Sequence, residues 1–245
     1  MISSFFKKRK AGKSVNALRV DVHSHLIPGI DDGSGTLEES VSLLKAMQAL
    51  GYEKVITTPH VMADAYGNTK SSILRGLCSL QEEAAKNGLT IQIEAAAEYY
   101  LDEGLPGLIE KDELLLVGGE YLLFETSYTH RPDGLERVIF EILSAGYKPL
   151  LAHPERYVYI QDPLEEYSRL KALGVFFQLN INSLGGYYGK SAKKAAEFLC
   201  KEGMVDFLGS DAHHQKHTDS LEKVFKTETY AQLWKNNTIL NESFR

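Results

Sequence analysis

The feature that most constrains this chain is a repeated rhythm: an apolar, β-branched run, a polar loop, an amphipathic stretch, a glycine, and then the next apolar run. Leu50-Gly51, Asn87-Gly88, Ala145-Gly146, Leu173-Gly174 and Glu202-Gly203 each read as a helix end closed by a left-handed glycine shortly before a strand. Helix starts are marked too, because Thr36 with Glu39 and Asp133 with Glu136 have capping-box spacing ahead of apolar periodicity. The rhythm predicts strands at 18–22, 54–58, 91–96, 121–125, 149–152, 175–179 and 205–208. Seven strands alternating with helices imply a parallel sheet, since parallel neighbours need a crossover connection. The stretch 99–119, with Pro106 and several glycines, is the irregular insert.

Alternation alone does not separate an open sheet from a closed barrel; the residues just past the strands do. The first predicted strand is followed by His23 and His25, then Asp32; the second by His60; the third by Glu98. The fourth ends in Glu125, the fifth is followed by His153, and the seventh by Asp211 and His213. In α/β barrels the strand C-termini share one face, where active sites are built. Six of seven strands delivering a His, Asp or Glu there selects a barrel of this length with a metal site at its mouth.

Singly these residues say less. A His-x-His pair at a strand end puts both imidazoles on one face, which suits a metal or merely a polar strand end. Asp21 is expected to orient His23 from behind. His130, His214 and His217 lie in polar stretches and read as surface residues. The run 185–191 fails as a phosphate-binding Gly-rich loop because Leu184 stands where its first glycine should be. It reads instead as a loop over the site, near which Asn180 and Asn182 offer amides. Tyr99, Tyr100, Tyr128, Tyr157, Tyr187 and Tyr188 follow strands and could flank an aryl group or simply pack.

Composition excludes several classes. A formal net charge of −6 argues against a general nucleic-acid binder. No apolar run nears the roughly 20 residues of a membrane helix, and no signal-peptide core is present, so a cytoplasmic location is expected. Cys78 and Cys200 form no CxxC pair and neither begins a Cys-x5-Arg loop, which argues against a disulfide framework and a thiol nucleophile. Residues 1–17, with Phe5-Phe6 ahead of Lys7, Lys8, Arg9, Lys10 and Lys13, read as a basic solvated tail or a weak contact for an anionic membrane surface. Residues 18–245 read as a single domain.

The segments Asp21-Val-His-Ser-His25, Gly29-Ile-Asp-Asp-Gly33, Thr57-Thr-Pro-His60, Ala97-Glu-Tyr-Tyr100, Leu123-Phe-Glu125, Leu151-Ala-His-Pro-Glu-Arg-Tyr157 and Gly209-Ser-Asp-Ala-His213 together resemble the PHP (polymerase and histidinol phosphatase) superfamily. More closely, the chain is similar to the manganese-dependent protein tyrosine phosphatases associated with bacterial capsules and exopolysaccharides. The resemblance implies a distorted seven-stranded (β/α)7 barrel of PHP type carrying three divalent cations, Mn²⁺ first, with Fe²⁺ or Zn²⁺ as alternatives. It gives His23, His25, Glu98 and Asp211 to one cation, Glu98, Glu125 and His153 to a second, and Asp32, His60 and His213 to a third. Arg156 takes the role of a catalytic, phosphate-contacting arginine, with Tyr100 and Asn182 as further substrate contacts.

The implied activity is that of a phosphoric monoester hydrolase, in which metal-bound hydroxide attacks a phosphotyrosine in line. A tyrosine leaving group, with a pKa of about 10, departs without a strong general acid. The implied partner is the tyrosine-rich tail of a bacterial tyrosine kinase in capsule or exopolysaccharide biosynthesis. The alternative is a small-molecule phosphatase of histidinol-phosphate type on the same scaffold. A binding protein with a degenerate barrel is a third reading, against which the complete ligand set speaks.

Overall fold

Residues 18–245 are described by a computed structural model; the expectations for the basic tail at 1–17 lie outside the described residues. In chain order the elements are β1 (Val20–Asp21), α1 (Leu37–Leu50), β2 (Lys54–Thr57), β3 (His60–Val61), α2 (Lys70–Lys86), β4 (Gln92–Ala95), β5 (Glu98–Tyr100) and α3 (Leu105–Glu110). They continue with β6 (Tyr121–Glu125), α4 (Leu135–Ser144), β7 (Lys148–Ala152), α5 (Pro163–Ala172), β8 (Phe176–Asn180), α6 (Ile181–Leu184), α7 (Lys190–Lys201), β9 (Phe207–Gly209), α8 (Gln215–Val224) and α9 (Glu228–Asn236). Short 3₁₀ turns lie at Pro154–Arg156 and Asn241–Phe244.

Each of the seven expected strands has a counterpart, but the described residues hold nine strands: β3 and β5 were not expected, and β5 and α3 run into the stretch 99–119 expected to be irregular. β2 stops at Thr57 and β3 begins only at His60, because Pro59 between them has no N–H to give to the ladder. β4 stops at Ala95 and β5 begins at Glu98, the Ala97 N–H between them turning away to the Leu115 carbonyl. The result is a β1-β2-β4 sheet followed by a β3-β5-β6-β7-β8-β9 sheet, with parallel pairing throughout. The surface curls until its last strand meets its first. Beyond β9 the Asp211 N–H donates to the His23 carbonyl at 2.8 Å, and the His25 N–H to the Ala212 carbonyl at 2.9 Å.

Two apolar clusters follow the pleat. Tyr121, Leu123, Leu150 and Ala152 belong to the cluster inside the curl, with Val20, Val22, Ile56 and Phe207. Their neighbours Leu122, Phe124 and Leu151 belong to the layer between sheet and helices, with Leu44, Met47 and Leu199. This is the period-2 alternation of strands buried on both faces.

The helix-end glycines at 51, 88, 146, 174 and 203 all have positive φ, as expected. Thr36 caps α1 by accepting from the Glu39 N–H, while Glu39 reaches back to the Gly35 N–H. The box expected at Asp133 does not form. Gly134 takes the cap position of α4 at φ 79°, and Glu136 instead pairs with Arg131 and Arg169. Among the described residues no helix is long and apolar enough to cross a membrane.

Candidate metal centre

Strand alternation aims several of the polar side chains. On β6, Tyr121 and Leu123 face the interior, so Glu125 is the next interior position. Ala96 is likewise interior, and Glu98 follows two residues on. His153 breaks the pattern: with Leu150 and Ala152 inside, simple alternation would send it outward. Its backbone sits at φ 33°, in the left-handed region, and the imidazole reaches the site. Asp211 is at φ 49°. For non-glycine residues such conformations cost on the order of 1–3 kcal/mol each, a cost that surrounding contacts must hold in place. On β1 the regular strand ends at Asp21, and His23 and His25 lie in the extension that β9 grips. Gly33 allows the loop to return against that extension, since a Cβ there would stand 2.3 Å from the His25 carbonyl oxygen.

The structure gathers nine ligand-type residues into four overlapping groups whose donor atoms lie within 4.8 Å of one another. The groups are His25–Asp32–His60–His213, His23–Glu98–His153, His23–His25–Asp211 and His60–Glu98–Glu125. These are the nine residues the sequence offered, and no other among the described residues enters the groups. Glu98 is the hub. Its Oε2 lies 3.2 Å from His23 Nε2, 3.4 Å from His25 Nε2 and 3.2 Å from His60 Nδ1, and its Oε1 lies 3.0 Å from His153 Nε2. His60 turns its two nitrogens to different groups, Nε2 to Asp32 at 3.5 Å and Nδ1 to Glu125 at 3.1 Å. The Nδ1 contact lacks hydrogen-bond geometry, and His153 Nδ1 is likewise buried without a partner among the described residues.

The hydrogen bonds behind the histidines fix what their front atoms present. His23 Nδ1 lies 2.6 Å from Gln178 Oε1, an oxygen that also accepts the His153 N–H, so His23 donates there. His25 Nδ1 donates to Asp31 at 2.8 Å, and His213 Nδ1 donates to the Asp211 carbonyl at 2.9 Å. In the neutral ring, each Nε2 is therefore a lone pair facing the site. His23 Nε2 and His25 Nε2 are 3.2 Å apart, and Asp211 Oδ1 stands 3.6 and 3.5 Å from them. Lone pairs and carboxylates converging in a buried space repel unless positive charge lies among them. The donor set fits divalent cations, and imidazole with carboxylate and no thiolate suits Mn²⁺, Fe²⁺ or Zn²⁺.

The electrostatics repeat this in terms of protons. Burial opposes charge on His23, but Glu98 outweighs it and lifts the ring to about 9. His25 is lifted well above its usual range against the same burial, by Asp211, Asp31 and Glu98. Burial of Glu98 and Asp211 is overcome by the surrounding histidines, which hold both carboxyls well below the ordinary range. His213 beside Asp32 brings that carboxyl down to about 2. The cluster demands cations, and protons serve where metal does not.

Over it lies a cavity of about 330 Å³ lined by Asp32, His60, Glu98, His153, Asp211 and His213, with Tyr128, Arg156, Tyr188, His214 and His217 around them. Arg156 donates to Asp211 Oδ2 at 3.0 Å, and its guanidinium lies against the rings of Tyr128 and Tyr188, 4.5 and 4.3 Å from their centres. Asp211 Oδ2 also accepts from Asn180 at 2.7 Å and Tyr188 at 3.0 Å, which leaves Oδ1 for the histidines. The Arg156 turn is anchored by Glu155, whose buried carboxyl accepts from the Asn180 N–H and the Ser183 hydroxyl.

Several expectations change here. Tyr100 does not line this cavity; it lies on a separate apolar one of about 180 Å³ with Tyr66 and Leu105. Asn182 is fully buried and its amide donates to the His217 carbonyl, so it supports the fold under the site rather than facing it. Asp21 does not orient His23; it holds Ser210 through both carboxylate oxygens, and Gln178 orients the ring instead. His217 is buried on the cavity wall, whereas His130 and His214 are exposed as expected. Asp31 and Gln178 were missed. The doubled acid in Gly29-Ile-Asp-Asp-Gly33 was the available signal for Asp31, whereas a glutamine inside an apolar strand carries none.

The sequence and the fold also match known proteins. The profile of the family described as "Capsular polysaccharide synthesis, CpsB/CapC" matches residues 19–233. The chain is 28% identical over 230 residues to tyrosine-protein phosphatase YwqE of Bacillus subtilis, covering 90% of this chain and 91% of that one. It is 28% identical over 201 residues to tyrosine-protein phosphatase CpsB of Streptococcus agalactiae, covering 80% and 83%. A solved structure from the pair YwqE of Bacillus subtilis and CpsB of Streptococcus pneumoniae, described as unique metal-dependent tyrosine phosphatases, superimposes with a TM-score of 0.77 at 28% identity, covering 90% of this chain and 96% of that one.

Proposed function

Since the chain belongs to the CpsB/CapC family of capsular polysaccharide synthesis, we propose how its own residues perform the family's chemistry: it is a metal-dependent tyrosine phosphatase that hydrolyses phosphotyrosine in proteins. The observation that carries this reading is the set of inward lone pairs on His23, His25 and His213, each imposed by an acceptor behind the ring. We assign three divalent cations, Mn²⁺ first. His23, His25, Asp211 and Glu98 would hold one, Glu98, Glu125 and His153 a second, and Asp32, His60 and His213 a third; His153 Nε2 lies 3.0 Å from Glu98 and 3.8 Å from Glu125. The curled sheet is read as a distorted barrel in which β2 with β3, and β4 with β5, each count as one of seven strands.

Bound cations supply Lewis acidity toward phosphoryl oxygens and bring the pKa of a water toward neutrality. The chain supplies the rest. Arg156 has donors to spare beyond its bond to Asp211, and its side chain is about 22% exposed at the cavity, placed to take the non-bridging oxygens. Tyr128 and Tyr188 stiffen the guanidinium through ring contacts and bound the space an aryl group enters. With a phenolate as leaving group, no protonated acid is needed beside the bridging oxygen. The proposed substrate is the phosphorylated tyrosine-rich tail of a bacterial tyrosine kinase, and the proposed place of reaction is the cytoplasm.

Metal analysis together with turnover of a phosphotyrosine peptide against histidinol phosphate tests the reading. The expected result is bound transition metal and a clear preference for the peptide. Preference for histidinol phosphate would move the chain to the small-molecule alternative, and a folded protein that takes up no metal would end both.

A further inference from the structure

His23, His25 and His213 turn a bare nitrogen to the site because an acceptor sits behind each ring. One histidine of the same cavity is wired the opposite way. His217 Nδ1 accepts the backbone N–H of His213 at 3.1 Å, so Nδ1 carries the lone pair and the proton of the neutral ring must be on Nε2. The ring is held in place: it stacks on His214 with centres 4.2 Å apart and an interplanar angle of 8°, and Tyr187 packs 4.7 Å away. The Asn182 amide pins the His217 carbonyl from below. His217 is 6% exposed and lines the cavity with Arg156 and Tyr188. No partner for Nε2 is found among the described residues, although that nitrogen is not sealed from the cavity.

A nitrogen that bears a proton cannot coordinate a cation, so this ring is no tenth ligand. A fixed N–H donor on the wall of a cavity that also holds the spare donors of Arg156 calls for an oxyanion. We infer that His217 Nε2–H is a substrate contact, a neutral hydrogen-bond donor to a non-bridging oxygen of the bound phosphate, acting together with Arg156. This rests on the phosphomonoester reading of the site. It assigns no proton transfer to His217: the ring keeps its proton and its role is to bind and orient.

The two nitrogens can be tested apart. In His217→Asn the amide oxygen can still accept the His213 N–H but no donor reaches the cavity, whereas His217→Gln carries an NH₂ group to about the Nε2 position. With metal-loaded proteins, inorganic phosphate affinity and kcat/KM for an aryl phosphate should fall on the order of tenfold in His217→Asn and recover most of that in His217→Gln, with metal content equal in all three. Unchanged phosphate affinity in His217→Asn, or metal lost with the ring, would overturn the assignment. The wild-type protein gives a check that needs no variant: ¹⁵N shifts of the Zn²⁺-loaded form should show His217 protonated on Nε2, and protonation on Nδ1 would refute it. A wild type that binds metal and phosphate yet cleaves no phosphomonoester would defeat the phosphatase reading alone, because the ordering of phosphate affinities still reports on His217.

Discussion

At the C-terminal end of its strands the curled sheet gathers five histidines and four carboxylates, whereas at the N-terminal end it closes over Tyr121, Phe176, Phe207 and Phe244. The same strands build both ends. Along β6 the interior positions run Tyr121, Leu123, Glu125, from aromatic through aliphatic to charged. At the aromatic end Phe244 stacks on Phe207 at 5.6 Å, and Asn241 ties the sheet's seam. Asn241 accepts the Leu208 N–H and donates to the carbonyls of Val20 and Leu208, which belong to opposite edges of the curl. At the other end the seam passes through His23 and Asp211, with Asp211 in a left-handed conformation. One end removes aromatic surface from water, worth on the order of 2–3 kcal/mol per ring. The other holds strain and converging lone pairs. Stability and chemistry are thus separated along the axis of one sheet.

Removing Asp211 should show the separation most sharply. Its Oδ1 faces His23 and His25, and its Oδ2 holds Arg156, Asn180 and Tyr188. Asp211→Ala should lower kcat/KM for a phosphotyrosine peptide on the order of 10³-fold or more, because it removes a proposed cation ligand and the arginine's anchor together. The metal-free variant should still fold and melt cooperatively, but below the metal-free parent, because it loses the contacts that hold the Asp211 carboxyl under its ordinary range while alanine keeps the left-handed backbone. A variant that fails to fold would show that this end carries stability after all.

A smaller effect is expected one layer behind the ligands. Asp31 fixes His25 by accepting from Nδ1 and also takes the His60 and Gly33 N–H groups. Asp31→Ala frees the His25 ring and should weaken metal affinity about 10- to 100-fold, with activity restored by excess metal. Competitive chelator titration reads the shift. An affinity equal to the parent's would mean that the tautomer of His25 is not set from behind.

What could be read from the sequence divides along the same line. Seven of the strands and the nine residues that the structure gathers were legible because strand ends are local: Glu125 is two residues beyond Leu123 and needs no knowledge of the fold. The partners that make those ligands work were not. Gln178 lies 155 residues from His23 and reads as one more interior strand residue, and His217 looks like a loop histidine until α8 folds it against the cavity. Asn182 looked as suitable as Asn180, but α6 begins between them and turns Asn182 under the site. Local periodicity assigns a face. Which atom of a ring points forward depends on a contact from another strand.

The aromatic end supplies the converse test, with the smallest expected effect on chemistry. Asn241 is fully buried, and Asn241→Ala would leave the Leu208 N–H and the carbonyls of Val20 and Leu208 without their partner in a space closed to water. Unmet buried groups of this kind cost about 2–4 kcal/mol together, which for a chain of this size lowers the melting temperature by roughly 5–15 °C. Catalysis should change by less than about twofold at temperatures where the variant is folded, because the strand tops are also held by the Asp211-to-His23 and His25-to-Ala212 bonds. Melting curves and initial rates on one preparation decide it. A tenfold loss of kcat in folded protein would show that slack at the seam's lower end reaches the metal cluster, and the two ends would then be one cooperative unit.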